Sequence, residues 1–228
     1  MDDRRIDEML ARSDATPDVD PALLHRISAS HQGSLGPVRP LPPRWVLAAG
    51  LSLISAALAF AGAAALGLHG IRRLTAPEAA LIFSALAVFT WLAAMLSTAE
   101  MTPGSRRRLG PLPLPAVASL ALAGVFALLF HDYRTERFVP QGLACLTAGL
   151  LNAVPAGIAG WLLLRRGYAV NPGAAGLAIG TLASLAGVTM LELHCANLET
   201  LHVMVWHTAV IPLSAAAGAL VARAALRH

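Results

Sequence analysis

The amino-acid sequence predicts an all-α protein: a polytopic membrane bundle of six transmembrane helices behind a short cytoplasmic N-terminal segment. Three observations predict it. Of the 228 residues, 56% are hydrophobic and 13% are charged, about half the charged share of an ordinary soluble domain, and mean hydropathy is +0.63. The apolar residues come in runs of roughly 20, the length a helix needs to cross the hydrocarbon core. The basic residues, all 17 of them Arg, fall in the gaps between those runs. A net charge of +4 can signal nucleic-acid binding, but Arg placed this way reads as a topology signal, and no direct nucleic-acid contact is expected.

Residues 1–44 form the first predicted domain. They carry seven acidic side chains (Asp2, Asp3, Asp7, Glu8, Asp14, Asp18 and Asp20) and no apolar h-region. That pattern predicts no cleaved leader, with the segment kept on the cytoplasmic side and the first span acting as insertion signal. Asp3–Arg12 places Ile6, Met9 and Leu10 on one helical face. A break follows at Ser13–Val19, which contains Pro17. Asp20 as N-cap and Pro21 at the first helical position start a second helix, whose apolar face is Leu23, Leu24 and Ile27. Gly33–Pro43, rich in Pro and Gly, is a semi-rigid tether. Two short amphipathic helices cannot bury a core alone. Their apolar faces need the membrane lipid, the inner loops or a docked soluble protein.

Residues 45–228 form the predicted membrane domain, with spans at Trp45–Leu68, Glu78–Ala99, Leu112–Phe130, Gln141–Leu164, Pro172–Leu193 and His202–Ala222. Cytoplasmic loops carry the excess of basic residues. With the N-terminus inside, thirteen Arg lie inside (4, 5, 12, 26, 39, 44, 106, 107, 108, 165, 166, 223 and 227) and four outside (72, 73, 134 and 137). The expectation is a bacterial inner-membrane protein with both termini cytoplasmic. Stretches such as Ala61–Ala65 and Gly173–Gly176 supply the small residues that let helices approach closely in lipid.

No nucleophile motif, phosphate loop or soluble-type metal spacing is visible, so no enzyme and no resident cofactor are expected. Ionisable groups inside spans are functional by default, but Glu100 and Glu192 lie near span ends and read as structural, and Asn152 reads as a packing contact. The cysteines are more informative. Cys145 near the start of span four and Cys195 just after span five both fall on the outer, oxidising side. His69, His131, His194, His202 and His207 crowd the same face. His202, Trp206 and, less directly, His207 share part of one helical surface by spacing. Three readings stay open for Cys145, Cys195, His194, His202 and His207. One is a structural disulfide with interfacial histidines; one is a switchable disulfide; one is a transient soft-metal site with Cys145, Cys195 and His194 as ligands.

Several short motifs carry a family resemblance: Gly142–Leu143–Ala144–Cys145 heading span four, Arg165–Arg166–Gly167 after it, Leu193–His194–Cys195 closing span five and Val205–Trp206–His207 in span six. With them the chain resembles the six-span anti-sigma proteins called negative regulators of sigma factor F. The resemblance covers most of the membrane part and is best from Gly142 onward. It implies a membrane anti-sigma factor that sequesters an extracytoplasmic-function sigma factor and releases it under stress, with Cys145 and Cys195 involved in sensing. Ile6, Met9, Leu10, Leu23, Leu24 and Ile27 would then contact the sigma factor. The rival is a small transporter or metal-handling protein, which wants more polar groups at mid-membrane than this chain has. A thiol–disulfide oxidoreductase is disfavoured because there are only two cysteines and no Cys-x-x-Cys.

Overall fold

The computed structural model describes residues 20–34, 42–102, 110–167, 169 and 171–225. Ile6, Met9, Leu10 and the Arg106–Arg108 cluster lie outside the described residues. The chain divides into two units, Met1–Leu41 and Pro42–His228.

In the first unit, α1 (Pro21–Ser34) begins as its sequence dictates. The Ala22 N–H donates to Asp20 Oδ1 at 2.9 Å, and the Asp20 carbonyl accepts from Leu23 and Leu24. Pro21 occupies a position whose N–H has no helical partner to lose. Leu23, Leu24 and Ile27 are all exposed.

The second unit comprises α2 (Arg44–Leu66), α3 (Ala76–Glu100), α4 (Leu114–Leu129), α5 (Phe138–Leu164), α6 (Pro172–His194) and α7 (Thr200–Ala225). No strand occurs among the described residues. The starts follow from local chemistry. Thr75 and Glu78 form a capping box at α3, and Asn171 Oδ1 accepts from the Ala174 N–H at 3.1 Å to cap α6, each satisfying an otherwise orphan donor.

Five helices, α2, α3, α5, α6 and α7, are long and apolar enough to cross a membrane. The sixth expected span differs. At 16 residues, α4 rises only about 24 Å, short of a hydrocarbon core of about 30 Å. Its sequence explains the shortening. Pro111, Pro113 and Pro115 tolerate no helical turn before them, so the helix starts at Leu114, with Pro115 confined to the first turn.

The up-and-down alternation survives this. The Thr200 N–H at the head of α7 donates to the Asp132 carbonyl after α4 at 2.7 Å, and the Gly70 N–H between α2 and α3 donates to the Leu193 carbonyl at 3.1 Å. Asn197 Nδ2 after α6 donates to Gln141 Oε1 at the head of α5 at 2.9 Å. Three connections therefore gather at one end of the bundle. Arg44 at the start of α2 lies at the other end.

The central helix is α6, with 83% of its apolar window buried against 22–39% for the other four long helices. Its small residues make this possible. A Cβ on Gly176 would meet the Gly218 carbonyl, and one on Gly218 would meet the Gly176 carbonyl, so α6 and α7 touch backbone to backbone. Buried hydroxyls of Ser97, Thr181 and Ser184 donate to carbonyls of their own helices, which satisfies them where lipid supplies no partner. Asn152 Nδ2 donates to the Ala186 carbonyl at 3.3 Å, linking α5 to α6.

Candidate functional site

The end where the three connections gather also collects the two cysteines. Cys145 lies two turns into α5 and is half-buried; Cys195 caps α6 with extended backbone (φ −70°, ψ 118°) and is buried. This bend turns its side chain inward. The sulfurs lie 3.4 Å apart. Both cysteines are free, so the pair is a dithiol in contact, where a disulfide would require about 2.05 Å.

Two imidazoles complete the cluster. His202 Nε2 is 3.6 Å from Cys195 Sγ. The His202 and His207 rings meet edge to face, with centroids 5.3 Å apart. One ligand atom from each of Cys145, Cys195, His202 and His207 falls within 4.8 Å of the other three. Both histidines are at most 1% exposed. Regular spacing does not give His202 and His207 the shared surface expected of them, because five positions apart on an α-helix they would diverge by about 140°. Residues Val203–His207 instead form a π-helical turn, whose wider i→i+5 winding brings residues five apart nearer to one face. The turn gives the two rings a common target.

Behind them lies a carboxylate. Glu192, expected to be structural near the interface, is 1% exposed, and its Oε1 lies 2.6 Å from His207 Nδ1. A carboxylate only accepts, so Nδ1 donates and Nε2 is left as the free ring nitrogen. The pairing of Glu192 with His207, fifteen positions apart on different helices, leaves no local sequence signal. A negative group within a span was the one available pointer.

His194 is not in the cluster, which corrects its expected place beside the cysteines. Its Nδ1 is 2.8 Å from the Gly67 carbonyl, and its ring packs on His69 at 5.9 Å. Consecutive residues on a helical turn point about 100° apart, so His194 faces the α2–α3 turn while Cys195 faces inward. Gly67 itself has φ +103°, a conformation that glycine adopts without steric cost.

Above the thiols opens a pocket of about 650 Å³, whose lining includes Arg73, Asp132, Gln141, Cys145, Glu199 and His202. The thiols are therefore reachable from the aqueous end. The adjoining Cys145 sulfur and burial push the Cys195 thiol above its ordinary range, while His202 and His207 pull it the other way. Trp206, on the same turn, packs on Phe138 with ring centroids 5.4 Å apart, and its indole fills the space that a side chain at Gly142 would need. Three of the resembling motifs thus meet at this one site.

No curated protein and no solved structure matches the chain. The protein family NrsF, Negative regulator of sigma F, matches residues 33–228, a span that includes the whole cluster and all six helices of the bundle, and the chain belongs to that family.

Proposed function

We propose that the protein is a membrane-bound anti-sigma factor of the bacterial inner membrane. It holds an extracytoplasmic-function sigma factor on the cytoplasmic side and releases it when an oxidant or a soft metal from the envelope engages Cys145 and Cys195. The family supplies negative regulation of a sigma factor. The observation that supports the sensing part is the pair of free thiols in contact at the pocket-bearing end of the bundle. Oxidation would join the two sulfurs and pass two electrons and two protons to the oxidant; a metal would take both sulfurs as thiolates. Either event draws the head of α5 and the foot of α6 together. A tenfold loss of sigma affinity requires only about 1.4 kcal/mol of this coupling.

Orientation is tested by reporter fusions. Fusions after Ser34, Arg107, Arg166 and Arg227 are expected to report cytoplasm, and fusions after Arg73, Arg134 and Asn197 the outer side. A cytoplasmic signal at Asn197 would put Cys195 in reducing surroundings and end the sensing reading.

Docking is tested with the full-length protein in detergent and the sigma factor that it regulates. The exposed row Leu23, Leu24 and Ile27 forms the apolar face that α1 offers a partner. Replacing all three with Ser is expected to abolish co-purification, because a helix-in-groove contact is anchored by such side chains. Undiminished capture by the triple variant would move the contact away from α1.

A further inference from the structure

We propose that Cys145 and Cys195 are half of a four-coordinate Cys₂His₂ centre completed by His202 and His207, with Glu192 as positioning residue, and that it takes a thiophilic divalent d¹⁰ cation such as zinc or cadmium. This deepens the sensing assignment of the same two thiols, naming the ligand class and the remaining ligands.

The dimensions fit. Tetrahedral bonds of about 2.3 Å to sulfur and about 2.0–2.1 Å to nitrogen put neighbouring ligand atoms roughly 3.3–3.8 Å apart. The sulfur–sulfur distance is 3.4 Å, the Cys195–His202 distance is 3.6 Å, and no pair among the four exceeds 4.8 Å. Closing on a cation asks for a movement of about 1 Å at the longest edge, within the reach of side-chain adjustment.

The protonation chemistry fits as well. Glu192 occupies His207 Nδ1, which leaves Nε2 as the donor. A carboxylate on the far nitrogen is the usual partner of a metal-bound histidine, fixing its tautomer and ring plane. His207 Nε2 is buried and has no hydrogen-bond partner among the described residues, a costly state for a polar atom that a cation would relieve. A disulfide uses only the sulfurs and accounts for neither the nitrogen nor the carboxylate. Binding is M²⁺ plus two thiols giving a neutral bis-thiolate, bis-imidazole centre and two protons, which leave through the pocket above the thiols. The π turn at Val203–His207 is what aims both rings at one point, and π turns recur at functional sites.

The test is titration of the purified full-length protein in nanodiscs with Co²⁺ as spectroscopic probe and Cd²⁺ as competitor. The expected result is one ion per chain, with a thiolate charge-transfer band and the visible spectrum of a tetrahedral centre. His202→Ala and His207→Ala are expected to weaken binding by about 100-fold or more, and Glu192→Gln by about 10–100-fold. Each metal-free variant should still unfold cooperatively near the wild-type temperature, which separates ligand loss from misfolding. The pocket-wall variant Asp132→Asn should retain the tetrahedral spectrum. Binding unchanged in both histidine variants, or no saturable binding by the wild type, overturns the centre. The sensing assignment fails separately: it falls if Cys145→Ser leaves the stress response in cells intact, whatever the titration shows.

Discussion

Replacing Cys145 or Cys195 with Ser is expected to lock the regulator in one state, so that a sigma-dependent reporter no longer responds to oxidant or soft metal. The double variant is expected to behave no worse than either single one. The sulfurs touch at 3.4 Å, and whichever event engages them needs both, as two ends of one bond or as two ligands of one ion. Residues that act as a unit are non-additive. The foot of α6 is the sensitive place for such an event, because α6 is the helix that the others surround. The Gly70 N–H donates to both the Leu193 and the His194 carbonyls, so a shift at Cys195 is passed to the α2–α3 connection, and α2 leads back to the N-terminal segment. The measurement is the induction ratio of the reporter in cells carrying each variant at equal membrane levels. Normal induction in either single variant removes the thiols from signalling.

The second large effect is on stability. Gly176→Leu or Gly218→Leu is expected to cost the bundle its fold, with loss of accumulated membrane protein and of cooperative thermal unfolding in detergent. Each glycine faces the carbonyl of the other where a Cβ would go, so a larger side chain meets backbone, which cannot rotate aside. Extra methylenes in a packed core already cost about 1–3 kcal/mol; four carbons driven against backbone carbonyls cost more than that, out of a total stability of only about 5–15 kcal/mol. Separating α6 from α7 would also forfeit the close contacts that replace the hydrophobic drive in lipid. Gly50→Leu and Gly124→Leu serve as controls, since nothing lies within 4 Å of a Cβ at either position. If Gly218→Leu accumulates and melts like these controls, the seam does not hold the bundle together.

The apolar runs, the Arg placement and the start of α1 at Asp20–Pro21 were legible in the sequence because each rests on local or one-dimensional physics. A span must be about 20 residues long, and a cap acts within three residues. Pro111, Pro113 and Pro115 also held the signal that shortens α4, but composition averaged over the run concealed it. The thiol pair was legible only as two cysteines sharing one end, since alternation of spans sets ends and not distances. The tertiary structure alone decided the rest. Helical spacing set His202 and His207 about 140° apart, and it took the π turn at Val203–His207 to point both rings at one place. Glu192 looked interfacial along the chain, yet packing of α6 at the centre buried it against His207. His194, adjacent to Cys195 in sequence, went to Gly67 because neighbours on a helical turn face different ways. Sequence determines which residues reach an end of a membrane bundle, since hydrophobic length is additive along the chain. Which of them touch is decided by helix rotation and backbone approach, and these depend on every neighbouring helix at once.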